Sequence, residues 1–327
     1  MARKTIYNDN LTKEWNNVSE ENKKLVKDFL KYCKSCDKSA QTIHQYEEWL
    51  KVFFCWNYKE NEDEFFIKLK KRDFVYYFGY LRELGMSPNR IASLKSALSS
   101  LSNEIELLYE EEYPNFRNQL RGLEPIHVTT VREKTVLSEE KVEKMLKKLV
   151  EEKEYELACY LALVCSSGAR KAELLQMKVE FFTPEREVFD GYMYCTPEIR
   201  SKGRGKRGKR IKKYVIKNHF KPYLDLWLKQ REEEGINIPE LFVTTDGEKY
   251  VPANISTANR FARSLSSKFG IDFYSHSGRH YFCTLLKRMK LPDDVITLIF
   301  SWESSDMIKI YNDISEEEIL NDFFSKK

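Results

Sequence analysis

A break in periodicity limits the architecture of this chain more than any other feature. Through roughly the first hundred residues, apolar side chains recur at helical spacing. Over GLEPIHVTTVREKTVL, residues 122–137, that pattern stops. The stretch combines Gly, Pro, a Thr pair and β-branched residues, the composition of a connection between folded parts. A chain of 327 residues divided there is expected to build two domains, each with apolar side chains for its own core. The expected boundaries are an N-terminal extension at 1–18, a helical domain at 19–122 and a linker at 123–137. A second domain at 138–313 and a tail helix at 314–327 follow.

Before the break the helices are legible one by one. Ser19 is placed to cap the first, in which Leu25, Phe29 and Tyr32 repeat at helical spacing. The second runs from about Thr42, with Ile43, Tyr46, Leu50, Phe53 and Phe54 on one side. RDFVYYFGYLREL, closed by Gly85, is the third, and Ser87-Pro88 opens a fourth striped by Ile91, Leu94, Leu98 and Leu101. These stripes are core; Arg90 and Lys95, on the opposite face of the fourth helix, could contact phosphate.

Past the linker, Ser138 opens EEKVEKMLKKLVEE, and YELACYLALVCSSG is apolar enough to be a buried helix. VEFFTPE, GYMYCTPEI and KKYVI then read as short strands. Helices resume with HFKPYLDLWLKQREEEG, ISTANRFARSLSSKFG, SGRHYFCTLLKRMK and PDDVITLIF, ending on a turn at DMIKIYNDI. The expected class is mainly α with a small antiparallel β-sheet (α+β).

The formal net charge is only +4, but the charge is local. RSKGRGKRGKRIKK, residues 200–213, holds nine basic residues and no acid. Residues 101–327 carry 37 of each sign, so outside that run they have nine acids in excess. Flanked by two strand-like runs, the basic segment is the turn of a β-hairpin and a candidate phosphate-contacting loop. Arg200, Arg204, Lys206, Arg207, Lys209 and Arg210 are its candidate phosphate contacts.

No stretch approaches the ~18 consecutive apolar residues of a membrane-spanning helix. The start, MARKTIYNDNLTKEW, lacks the apolar core of a signal peptide, so a cytoplasmic protein without a membrane partner is expected. Seven scattered cysteines, an odd count, fit reduced thiols. Cys33-Lys-Ser-Cys36 has the spacing of half a zinc site, but no second pair follows, and no metal is expected. With no Walker motif and no nuclease-like acidic cluster, neither is a cofactor.

Four features of the second half carry chemistry. Arg170 follows the small-residue turn Ser167-Gly168-Ala169, where a guanidinium can be held to fork onto two phosphate oxygens. Glu173, three residues on, lies on the same face to orient it. Lys202, just after a strand, suits a general acid if docking buries it. In His276-Ser-Gly-Arg279-His280 the spacings put both histidines and the arginine on one helical face, aimed at one anion. Trp302 is followed nine residues later by Tyr311, a poor nucleophile unless cations surround it and the phosphate is already neutralised.

Arg, hairpin Lys, His-x-x-Arg, Trp and Tyr in this order resemble the tyrosine recombinase family (phage integrase and Xer-like), over roughly residues 19–315. The family's SG(L/A)R-x-x-E-L appears as Ser167 to Leu174, its H-x-L-R-H as HSGRH, and its L-G-H-S-S…Y as FSWESS…Tyr311. The hairpin lysine corresponds to Lys202, with Lys206 the other candidate in this long turn. Thr42–Tyr46 is similar to a TIxxY segment of the family's core-binding domain. Two positions depart from the pattern: Gly278 stands for the usual Leu, losing helix propensity and a packing contact, and Trp302 stands for the commoner His.

The resemblance implies a two-domain clamp of core-binding and catalytic domains that cleaves and rejoins specific duplex sites through a 3′-phosphotyrosyl intermediate. It implies that Arg170 and Arg279 bind the scissile phosphate and that His276 assists proton transfer from Tyr311. His280 and Trp302 would support the pocket, and Lys202 would protonate the 5′-hydroxyl. Expected partners are double-stranded DNA with short inverted-repeat core sites and further copies of the chain. The expected assembly is a tetramer joined through the tail, whose Ile319, Leu320, Phe323 and Phe324 share one face. Only about 18 residues precede the first helix, which favours a Xer-like or transposon-type enzyme without a separate arm-binding domain. A type IB topoisomerase or telomere resolvase would share these residues. A silent DNA-binding regulator would have no need of Tyr311.

Overall fold

Serine and asparagine side chains set where several of the helices begin. The computed structural model describes residues 8–127, 135–201 and 208–315, with Glu317, Glu318, Asn321 and Phe324 of the tail. These residues divide into two compact units, one up to residue 127 and one from residue 135.

The first unit is helical: α1 (Asn8–Leu11), α2 (Glu20–Ser35), α3 (Ala40–Glu60), α4 (Lys71–Glu83) and α5 (Pro88–Leu108). Ser39 Oγ accepts from Thr42 N and starts α3 two residues earlier than the apolar stripe suggests. Ser87 Oγ accepts from Arg90 N, with Pro88 in the first turn of α5. Ser19 does not cap as expected. Its side chain makes no capping bond, and its backbone N–H donates to Asp63 Oδ2 at 2.7 Å. Buried Asn22 extends the same tie, donating to Asp63 and to the Glu64 carbonyl and accepting from Phe66 N. The core is aromatic: Phe53 stacks on Phe74 at 5.6 Å and meets Tyr77 edge-on at 5.0 Å. Lys95, one of the expected DNA contacts, donates its ammonium to the Leu123 and Glu124 carbonyls and so also ties the unit's own chain.

The second unit packs α7 (Tyr155–Ser167) between α9 (Lys217–Glu233) and α11 (Ser275–Arg288), with α6 (Glu139–Glu151) alongside. All but the first two residues of α7 are buried, as its continuous apolar run requires. The remaining helices are α8 (Lys171–Leu174), α10 (Ile255–Phe269), α12 (Asp293–Phe300) and α13 (Asp306–Tyr311). Strands β1 (Glu187–Val188), β2 (Met193–Cys195) and β5 (Tyr214–Ile216) form an antiparallel sheet. Between them β3 (Ile199–Ser201) pairs with β4 (Lys209–Ile211), with Arg200 opposite Arg210. The expected hairpin is therefore present, although residues 202–207 of its turn lie outside the described residues. VEFF is not a strand: Val179–Phe182 closes into a 3₁₀ turn with Phe181 and Phe182 buried. A hairpin not foreseen, β6 (Val243–Asp246) with β7 (Lys249–Pro252), turns at Gly247, whose φ is 62°. All seven cysteines are free thiols. No helix among the described residues is long and apolar enough to cross a membrane.

Candidate active site

The second unit brings together residues from α8, β3, the start of β5, α11, α12 and α13. Its left-handed Gly168, φ 54°, ends α7 and leaves no space for a side chain: a Cβ would lie 2.6 Å from Phe300. The turn delivers Arg170 to the start of α8. Glu173 Oε2 accepts from Arg170 N at 2.8 Å and Oε1 from Arg170 Nη1 at 2.9 Å, so one carboxylate caps the helix start and fixes the guanidinium. Ser201 Oγ donates to the same Oε1 at 2.6 Å, and Arg170 Nη1 reaches Ser201 Oγ at 3.3 Å.

Lys213, just before β5, is a site residue that sequence reasoning counted only as charge. It is 0% exposed, and its Nζ lies 3.4 Å from Glu173 Oε2, an ionic contact without hydrogen-bond alignment. The signal was available in the alternation: Ile211, Lys213 and Val215 all fall on the buried side. Burial lowers the Lys213 ammonium to about 8, against the pull of Glu173 and with Arg279 and Arg170 adding to it. Burial alone would raise Glu173, but Lys213, Ser201 and Arg170 outweigh it and hold the carboxyl down to about 2.

Arg279 is 0% exposed, its Nη1 donating to the Gly168 carbonyl at 2.6 Å. The guanidinium lies 4.7, 5.2 and 5.3 Å from the rings of Phe300, Trp302 and Tyr311. Its Nε and Nη2 are buried with no hydrogen-bond partner, as is Trp302 Nε1. Three such donors around one aromatic stack are an arrangement that an anion's oxygens would satisfy. Burial lowers Arg279 to about 10, still protonated at neutral pH.

Tyr311, 8% exposed, closes the stack: Phe300 lies 4.2 Å from Trp302, and Trp302 5.4 Å from Tyr311. Its Oη is 3.1 Å from His276 Nδ1. Burial, then the charges of Arg279 and Arg170, lower the pKa of His276 and favour the neutral ring. His280 departs from the expectation of one face aimed at one anion. Its Nδ1 lies 3.2 Å from Asp313 Oδ1 while its ring packs 4.8 Å from Tyr311. Gly278 reverses an expectation, since a Cβ there would sit 1.9 Å from Val164 Cγ1. Its missing side chain is what lets α11 close on α7.

The structure thus assembles Arg170, Glu173, His276, Arg279, His280, Trp302 and Tyr311 in one unit. Lys202, Arg204, Lys206 and Arg207 lie outside the described residues. Arg200 and Arg210 are exposed on the hairpin strands. Lys209 instead spans to the Ser301 carbonyl at 3.2 Å and to Glu303 at 3.1 Å. Arg90 is half-buried near the start of α5 in the other unit. Chemically, a tyrosine beside a neutral imidazole and two guanidinium groups can attack a phosphodiester, with the cations neutralising the oxygens it does not displace.

Residues 135–318 match the phage integrase family model. The chain is 34% identical over 257 residues to the SPbeta prophage-derived recombinase-like protein YomM of Bacillus subtilis (strain 168), covering 77% of this chain and 74% of that one. Among solved structures, it resembles XerH site-specific recombinase bound to palindromic difH substrate in a post-cleavage complex. That match has a TM-score of 0.64 at 16% identity, covering 97% of this chain and 94% of the other. The Tn1549 transposon integrase in complex with circular intermediate DNA gives a TM-score of 0.64 at 15% identity, covering 91% and 98%. A lambda integrase dimer bound to a COC′ core site gives 0.63 at 16% identity, covering 89% and 76%. At these identities the structural matches establish a shared fold.

Proposed function

The chain belongs to the phage integrase family, and from that premise we propose that it is a site-specific DNA recombinase working through Tyr311. One observation supports the reading most strongly. Tyr311 Oη stands 3.1 Å from a histidine kept neutral, in contact with a buried arginine that has two unpartnered N–H groups.

In the proposed step, Arg170 and Arg279 hold the non-bridging oxygens of the scissile phosphate, and Trp302 Nε1 donates to the same group. His276 takes the phenolic proton as Tyr311 Oη forms its bond to phosphorus and the bond to O5′ breaks. The hairpin lysine, Lys202 or Lys206, returns a proton to O5′. The product is a 3′-phosphotyrosyl link and a free 5′-hydroxyl. Because the link conserves the ester's energy, a second strand's 5′-hydroxyl can reverse the step and rejoin DNA. The substrate is duplex DNA, with short inverted-repeat core sites. Four copies act together, each tail lending its apolar face to a neighbour; of that face only Phe324, which is exposed, lies among the described residues.

The test is a nicked duplex in which cleavage releases a short 3′ fragment and strands the enzyme on DNA. A pool with randomised core sequence, incubated with the protein, should yield adducts stable in detergent and attached to the 3′ end of the cleaved strand. A 5′ attachment, or no adduct, would overturn the reading. A supercoiled plasmid lacking the selected site should stay supercoiled; its relaxation would indicate a topoisomerase instead.

A further inference from the structure

We propose that Lys213 is a positioning residue of the DNA-cleaving site, one that works through Glu173 to keep the Arg170 guanidinium electrostatically free for the scissile phosphate. The inference rests on the recombinase reading and goes beyond it, to a buried lysine set against Glu173. Arg170 and Glu173 alone would be a closed pair of opposite charges. An arginine neutralised by its own carboxylate offers a phosphate hydrogen bonds but little net attraction. Lys213 alters the count. Its Nζ lies 3.4 Å from Glu173 Oε2, while Oε1 serves Arg170 Nη1, so the carboxylate is shared between two cations. The three groups together carry one positive charge beyond neutrality.

Exposure distinguishes the roles within this triad. The Arg170 side chain is 32% exposed and reachable by DNA; those of Glu173 and Lys213 are 1% and 0% exposed. The Lys213 ammonium faces the Glu173 carboxylate at 3.4 Å, so its charge bears on the phosphate through the Arg170–Glu173 pair. The charged groups around it are Glu173 and Arg170 on the α8 side and Arg279 from α11, with the Phe300 ring of α12 5.9 Å from its Nζ. The lysine sits against like charges and an aromatic face, an arrangement costly enough to call for a purpose beyond packing. Its benefit falls in the transition state, where charge accumulates on the non-bridging oxygens.

The test uses the full-length chain and the nicked duplex selected by wild-type adduct formation. Lys213→Met should slow single-turnover adduct formation on the order of 10²-fold, as removal of one electrostatic contributor typically does, with Kd for the duplex changed less than about threefold. Lys213→Met/Glu173→Gln restores the triad's single excess charge and should recover most of the rate. On a duplex with an uncharged methylphosphonate at the scissile position, the Lys213→Met defect should shrink to within a few-fold of wild type. An equal defect on both substrates, or no recovery in the double variant, would mark Lys213 as merely structural and overturn the proposal. If Lys213→Met alone fails to fold, the double variant decides. A folded double variant that forms adduct supports the charge count, and a folded one that does not contradicts it. Absence of any wild-type adduct would instead remove the recombinase reading and this inference with it.

Discussion

His276 Nδ1 lies 3.1 Å from Tyr311 Oη, the two rings within 15° of parallel. In the proposed step the imidazole takes the phenolic proton, so its protonation state would govern the reaction's acid limb. Burial, then Arg279 and Arg170, lower its pKa, so the ring stays neutral below the ordinary histidine value of about 6.5. Protonation removes the acceptor, so the rate should fall as pH drops, with a midpoint under 6.5. His276→Phe should reduce single-turnover adduct formation by roughly 10²–10⁴-fold, the usual contribution of a positioned base, and abolish the limb. A limb at or above pH 6.5 in wild type would contradict the assignment.

Trp302 offers a donor and a stacking face that two substitutions separate. Trp302→Phe keeps the ring against Phe300 and Tyr311 but removes the buried Nε1 donor. A hydrogen bond to a charged group is worth about 1.5–3 kcal/mol, so adduct formation should slow roughly 10- to 100-fold with unchanged thermal stability. Trp302→His restores a donor and should regain much of the rate. Equal activity of the Phe variant would show that stacking alone matters.

Packing at Gly278 makes the opposite of the usual glycine argument testable. Alanine should gain about 1 kcal/mol in helix propensity, yet its Cβ would meet Val164. Overpacking of this kind costs about 1–3 kcal/mol, so Gly278→Ala should lower the denaturation midpoint. Adding Val164→Ala should recover part of the loss. A stabilised Gly278→Ala would refute the close approach of α7 and α11.

In the first unit, Glu104 is 2% exposed and neither carboxyl oxygen has a hydrogen-bond partner. Burial, with Asp28 adding to it, raises its pKa to about 7. The folded state therefore holds a proton that the unfolded chain releases near pH 4.5, so Glu104's own contribution to stability is fullest below 4.5 and is lost as pH rises through 7. Glu104→Gln removes the charging cost and should stabilise the unit at pH 8 by about 1–3 kcal/mol, with the gain fading at pH 5. Thermal unfolding of both proteins at the two pH values measures this. A gain independent of pH would show that ionisation is not the cause.

The residues that could be read from sequence are those whose chemistry depends on order and spacing. Arg170, His276, Arg279, Trp302 and Tyr311 fall in motifs, and the structure gathers them in one unit. Helical stripes such as Ile91–Leu94–Leu98–Leu101 survive because burial of one face decides their period. What escaped depends on neighbours distant in sequence. Lys213 looked like one charge among nine until Glu173 received it. Gly278 looked like a lost contact until Val164 occupied its space. The two carbonyls that Lys95 meets, from residues 123 and 124, are likewise distant from it in sequence. VEFF carried strand-forming residues yet curled into a 3₁₀ turn, local propensity yielding to tertiary packing.

The most direct measurement is the identity of the residue that carries the DNA. Trapped adduct, digested with protease and nuclease, should yield a single modified peptide with a 3′-nucleotide on Tyr311, and Tyr311→Phe should form none while still binding the duplex. A nucleotide on any other side chain, or adduct surviving in Tyr311→Phe, would contradict the proposed chemistry at its centre.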